Sequence, residues 1–155
     1  MASYSFKSAG KTKEQITEET PAVSRVPFGI KTPLSLGTGE GILSMNYSLS
    51  DQFADNLRNL LLTNWGERLG LYDFGANLKP LTSEFVSQDS FDNEAIEKIR
   101  SAVQKWMPFI DLEDFSSVVD RNENKNTAII KITITYNIPA LEVTKKSLQI
   151  VLYVM

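Results

Sequence analysis

Asn56 to Leu78 reads NLRNLLLTNWGERLGLYDFGANL, and this stretch decides the fold. Phe53, Leu57, Leu60 and Leu61 recur at 3.6-residue spacing, which marks the buried stripe of an amphipathic helix. Ser48 or Ser50 suits its start, with Asp51 favourable in the first turn. Asn64 and Gly66 end it. Leu69–Asn77 then reads as a short strand or hairpin arm that turns at Gly75.

Outward from this stretch the period changes once. A second helix is expected to open around Asp92 and run to Trp106, with Ile96, Ile99, Val103 and Trp106 on one face. Glu94 and Lys98 form an i,i+4 pair on its solvent side, and Pro108 ends it. From Thr127 to Ile138 the period is 2, with Ala128, Ile130, Ile132, Ile134, Tyr136 and Ile138 on one face and Lys131, Thr133, Thr135 and Asn137 on the other. Leu112–Val119 is a weaker strand, joined to it through the polar turn Asp120–Asn126. Ser147–Val154 is the last strand, with Leu148, Ile150, Leu152 and Val154 inward and Ser147, Gln149, Val151 and Tyr153 outward. It is expected to run to Met155 with no blunting tail. The element order predicts an α+β fold of two helices packed on a mainly antiparallel sheet.

At 155 residues the chain is long enough to bury a core as one domain. Residues 1–24, rich in Ser, Thr, Lys and Glu, are expected to form a mobile tail. Residues 25–155 are expected to form a single domain that includes an extended segment over 27–44, where Gly and Pro interleave with Phe28, Ile30, Leu34 and Leu36. The composition is 42% hydrophobic and 23% charged, that of an ordinary soluble protein. A net charge of −3 provides no general basic field for nucleic acid. Cysteine and histidine are both absent, which excludes disulfides, thiolate chemistry and the commonest base and metal ligand. No apolar run approaches the roughly 20 residues that span a bilayer, and no secretory h-region opens the chain, so a cytoplasmic protein is expected.

Local motifs for chemistry are weak. Gly10, Lys11 and Thr12 imitate the end of a phosphate loop, but Ser5 stands where the first glycine belongs. Gly37, Gly39 and Gly41 lack dinucleotide-binding spacing. Asp111, Glu113, Asp114 and Asp120 do not match a calcium loop. Glu67, Asp73 and Glu84 are candidate paired carboxylates for glycoside hydrolysis, although no apolar pocket is evident to raise one of them. Glu67 has a simpler role in pairing with Arg68 or a neighbour to fix the turn. Trp65 and Trp106 both fall where a helix packs and are expected in the core.

The order apolar helix, Gly66-Glu67-Arg68, Asp73-Phe74-Gly75, Leu78 resembles the small baseplate wedge, or sheath-initiator, family of contractile-tailed phages, related to type VI secretion baseplates and extracellular injection systems. The resemblance covers roughly Pro27 to Val154. It implies a fold like the C-terminal domain of a contractile sheath subunit, and a non-catalytic virion part that joins the baseplate to the first sheath ring. Its implied partners are the tail sheath subunit and other baseplate wedge proteins in a six-fold assembly, with residence in the tail baseplate and in host cytoplasm during assembly. Gly66, Glu67, Arg68, Asp73, Phe74 and Gly75 are the structural motif. Family members usually carry Glu-Pro-Arg after the second helix; here Met107, Pro108 and Phe109 stand there, so wedge attachment through Trp106, Met107, Pro108 and Phe109 is expected to be apolar. Sheath strands are expected to add at Ser147, Gln149, Val151 and Tyr153 by β-augmentation, with Lys145 and Lys146 guarding the edge.

The resemblance implies no catalytic residue, cofactor, metal, nucleic acid, membrane or small-molecule substrate. A lysozyme-like glycoside hydrolase acting through Glu67 and Asp73, the equivalent part of a non-phage injection system, and a generic partner-binding module are the alternatives. Leu61→Asp is expected to abolish cooperative thermal unfolding, because a charge enters the apolar stripe without a partner; a soluble, cooperatively melting variant would place the buried face elsewhere.

Overall fold

The computed structural model describes residues 26–37, 42–83, 87–122 and 127–154. The expected mobile tail, Gly10–Thr12, Gly39, Gly41, Glu84, most of the turn before the period-2 strand, and Met155 lie outside the described residues. In chain order the elements are β1 (Gly29–Ile30), β2 (Met45–Asn46), α1 (Leu49–Leu62), α2 (Lys79–Ser83), α3 (Gln88–Trp106), β3 (Asp111–Asn122), β4 (Thr127–Ile138), a 3-10 turn at Pro139–Leu141, and β5 (Val143–Val154). The class is α+β, as the change of period predicted.

β3, β4 and β5 form an antiparallel meander with β4 in the centre. The centre explains why its inner face is sealed: Ile130, Ile132, Ile134, Tyr136 and Ile138 are buried beneath the helices. In register beside them lie Leu148 opposite Ile134 and Ile150 opposite Ile132, both buried. α1 contributes Leu57, Leu60 and Leu61 to the same core, and α3 contributes Ala95, Ile99, Ala102 and Val103. Each fully buried Leu or Ile contributes about 1.5–3 kcal/mol relative to exposure.

Several boundaries differ from the sequence reading. α3 starts at Gln88 rather than near Asp92, because Ser87 caps it by accepting from the Ser90 amide at 3.3 Å. Lys98 does not pair with Glu94; it donates to the Asn77 carbonyl at 3.5 Å. Leu69–Asn77 is a series of turns with no strand, and the short helix α2 follows it. β5 begins four residues before Ser147, since Lys145 takes a left-handed φ of 52° and its amide donates to Asn137 Oδ1 at 2.7 Å, carrying the strand through a bulge.

The segment expected to be extended folds back as a ribbon: β1 pairs with β2, and Leu36 bridges to Leu43. Asp55, buried on α1, clamps it. Its Oδ2 accepts from the Thr32 amide at 2.9 Å and from Asn46 Nδ2 at 2.8 Å, while Oδ1 accepts from Arg58 at 3.2 Å. Arg58 also donates to the Thr32 carbonyl at 3.3 Å. Gly29 leaves room for the Gln52 side chain, which any Cβ there would strike. Asp55→Ala is expected to cost about 2 kcal/mol, since Asn46 loses its buried acceptor, and to raise hydrogen exchange at the Thr32 amide while β4 amides keep their relative protection. Unchanged exchange at Thr32 would mean that the ribbon is held by something other than Asp55.

Candidate functional site

The turn after α1 is built by the returning chain. Helix α1 leaves carbonyls without intrahelical partners at its C-terminus. The Ala76 amide donates to the Leu60 carbonyl at 3.0 Å and the Asn77 amide to the Thr63 carbonyl at 3.3 Å. Gly75 carries this crossing at φ 115°, and a Cβ there would collide with the Thr63 carbonyl. Gly66, at φ 85°, turns the chain so that its amide meets the Tyr72 carbonyl at 2.7 Å. Glu67 pairs with a neighbour rather than with Arg68: it accepts from the Asn64 amide at 2.7 Å and from Asn64 Nδ2 at 2.9 Å. Thus Gly66, Glu67 and Gly75 have structural roles.

The other motif residues face the end of α3. Asp73 pairs with Lys105, whose ammonium lies 5.1 Å from the Trp106 ring centroid. Phe74 meets Trp106 edge to face at 5.2 Å, and the Arg68 guanidinium stacks 4.3 Å over Phe74. The ring pair separates two clefts. One, of about 420 Å³, contains Trp65, Asp73, Glu97 and Lys105. The other, of about 500 Å³, lies toward α1 and contains Arg68, Asn56, Asn59 and Met107. Trp65 is not a core residue: it is 60% exposed and spends its indole N–H on the Gly75 carbonyl at 3.1 Å.

Of the four residues assigned to wedge attachment, Trp106 is half-buried, Met107 is buried, Pro108 is exposed, and Phe109 is exposed while packing on Phe53 with centroids 4.7 Å apart. Pro108 and Phe109 therefore present surface directly, whereas Trp106 and Met107 form part of the wall of the second cleft.

Ser147, Gln149, Val151 and Tyr153 are all exposed, on the sheet face away from the helices. Opposite them on β4 stand Thr135, Thr133, Lys131 and Ile129. The strand edge is formed instead by the main chain of β5, which among the described residues pairs only with β4; β3 is an open edge in the same sense. The two edges differ in charge. β3 exposes Asp111, Glu113, Asp114 and Asp120, whereas Ser147–Val154 has no charged side chain. Beneath the β5 edge runs a mostly apolar groove of about 220 Å³ containing Leu61, Leu62, Leu78 and Leu152, with Asn64, Lys79 and Thr82 at its polar side. Lys146 does not guard this edge; it reaches Ser50 Oγ at 2.9 Å and Asp51 at 3.0 Å, tying β5 to the start of α1. Lys145 remains exposed.

Hydrogen bonds from Asn64 hold the Glu67 carboxyl below its ordinary range, and the bond from Lys105 does the same for Asp73. A glycosidase acid requires the opposite shift, so this pair lacks the electrostatics proposed for it. Among the described residues no cluster of three acids fit to hold a metal is present, and no helix is long and apolar enough to cross a membrane.

Residues 48–142 match the family model of the baseplate wedge protein gp25. The matched span runs from the cap of α1 to the turn before β5 and omits the ribbon. Among solved structures, a chain of the six-fold symmetrised baseplate of the anti-feeding prophage is similar at 19% identity, covering 70% of this chain and 82% of its own, with a TM-score of 0.57. A candidate tail lysozyme from Geobacter sulfurreducens is similar at 22% identity, covering 75% of this chain and 97% of its own, also with a TM-score of 0.57. A comparison with curated protein sequences found no match.

A lowered folded-state pKa stabilises above the unfolded value, and that stability is lost as pH falls through the folded one. Glu67→Gln is therefore expected to lower Tm at neutral pH, with the gap to the unaltered chain closing as the pH drops below the ordinary carboxylate range. Thermal melts across that range check it; a gap that persists in acid would mean that the Glu67 charge does not fix the turn.

Proposed function

This chain belongs to the family of the baseplate wedge protein gp25, and from that premise we propose that it joins the baseplate of a contractile tail to the first sheath ring. The baseplate assignment rests on the family. The finer reading, a sheath initiator that works by strand addition, is carried by one observation: the uncharged run Ser147–Val154 at the β5 edge with a mostly apolar groove beneath it. Native edges are usually blunted by charge, as β3 is here. An incoming strand hydrogen-bonds to the β5 main chain, and its alternate side chains enter the groove containing Leu62, Leu78 and Leu152. Ser147, Gln149, Val151 and Tyr153 then form the outward face of the enlarged sheet. Trp106, Met107, Pro108 and Phe109 attach the protein to the other wedge proteins. The similarity to a chain of a six-fold baseplate supports six copies around the tail axis. Residues 25–155 act as one domain, with 1–24 as a tail that orders on assembly.

The test is capture from a lysate of the source with the purified chain as bait. Recovery of a sheath subunit together with wedge proteins is expected. Backbone N–H groups along β5 point alternately toward β4 and away from it. Of two proline sets, one at Gln149, Val151 and Tyr153 and one at Leu148, Ile150 and Leu152, a single set should keep the fold, judged by Tm, and lose sheath capture. Sheath capture that survives in the folded set would remove the β5 edge from the interface.

A further inference from the structure

Among the described residues, Arg68 has no acid to answer it. Glu67, its sequence neighbour, is committed to Asn64, and Asp73 is committed to Lys105. Among the described residues no carboxylate pairs with Arg68, and its guanidinium lies over the face of Phe74. A guanidinium stacked by its face keeps its N–H donors in the plane, free at the edge, in the fork that matches a carboxylate. Phe74 is in turn braced by Trp106, so the cation is held on a rigid wall.

What lies beside it is equally uncommitted. Arg68 is the only charged residue lining the cleft of about 500 Å³ between α1 and the ring pair. On the α1 side, Asn56 uses its Oδ1 to accept from Gln52 at 2.9 Å, which leaves its Nδ2 donors without an acceptor among the described residues. The Asn59 side chain has no partner among them either. Leu60, Trp106 and Met107 supply apolar walls. The neighbouring cleft is different in kind, because Asp73 and Lys105 neutralise each other there. In a chain of net charge −3, an isolated cation among amide donors and apolar walls is a local reversal of sign.

We infer that this cleft is a carboxylate-binding site, which takes an acidic side chain flanked by apolar residues from a peptide segment of a neighbouring wedge protein. The assignment of the partner rests on the wedge-attachment role proposed above for Trp106 and Met107; the carboxylate preference does not. Arg68 grips the carboxylate through its fork, Asn56 and Asn59 add N–H donors, and the flanking apolar side chains pack on Trp106 and Met107.

The probe is acetyl-Leu-Glu-Leu-amide titrated into the 15N-labelled full chain, with acetyl-Leu-Gln-Leu-amide as its uncharged counterpart. The expected result is a saturable shift of the Trp106 indole N–H and of the Asn56 and Asn59 side-chain amides, with the Trp65 indole unmoved. The Gln peptide should bind about tenfold more weakly, the size of one charge-assisted hydrogen bond. Arg68→Gln should lose the same factor for the Glu peptide, and Arg68→Lys should lose part of it. Equal binding of the two peptides, or no saturable shift at Trp106, overturns the inference; both are read on the unaltered chain, so a misfolded variant cannot obscure them. Failure to capture wedge proteins with a confirmed carboxylate preference would refute only the identity of the partner.

Discussion

The closure of α1 by the chain that leaves it is the constraint on which the rest depends. Two backbone amides, of Ala76 and Asn77, return to carbonyls of Leu60 and Thr63. Once they do, the twelve or so intervening residues are a closed loop over the helix end, and three of its side chains meet the end of α3 or one another. Phe74 falls against Trp106, Arg68 falls over Phe74, and Asp73 reaches Lys105. The crossing is possible only because Gly75 has no Cβ. The stretch from Gly66 to Gly75 is thus first a way of ending this helix tightly, and its surface chemistry follows from that.

The sheet imposes a second condition. A three-stranded meander has one interior strand, and β4 takes it with an unbroken run of Ile and Tyr on its inner face. The outer strands each keep one side of their main chain unpaired among the described residues. The acidic side chains of β3 and the uncharged run of β5 distinguish two edges that topology alone leaves equivalent. Lys146, tied to the start of α1, holds β5 to the helical layer without placing charge on its outer edge.

Elements with a strong period were legible in the sequence, and those set by capping were not. β4 was read residue for residue, because period 2 over twelve positions admits no other face. The leucine stripe of α1 was equally plain. The start of α3 was missed because Ser87, Gln88 and Asp89 carry no apolar period and only the cap geometry reveals them. The arm expected over 69–77 became turns because the Leu71 and Phe74 amides close local turns and those of Ala76 and Asn77 return to the end of α1, leaving no strand partner. Trp65 was placed in the core because it falls where a helix packs, yet Leu69, Tyr72 and Trp65 all remain exposed. Of the proposed site, the motif residues and the uncharged β5 face could be named in advance. The cleft that gathers Arg68 with Asn56 and Asn59 could not.

By itself the sequence determined the α+β class, the inner faces of α1 and β4, the absence of thiol and imidazole chemistry, and a family resemblance, because each is carried by residue type and local spacing. The tertiary structure alone decided that Asp73 and Glu67 are spent on other partners and that Arg68 is paired with no acid among the described residues. It also decided that Asp55 clamps the ribbon and that the two sheet edges differ in their surroundings. Those outcomes depend on groups far apart in the chain competing for the same partners, and pairing of that kind is settled by distance in space, which no local pattern encodes.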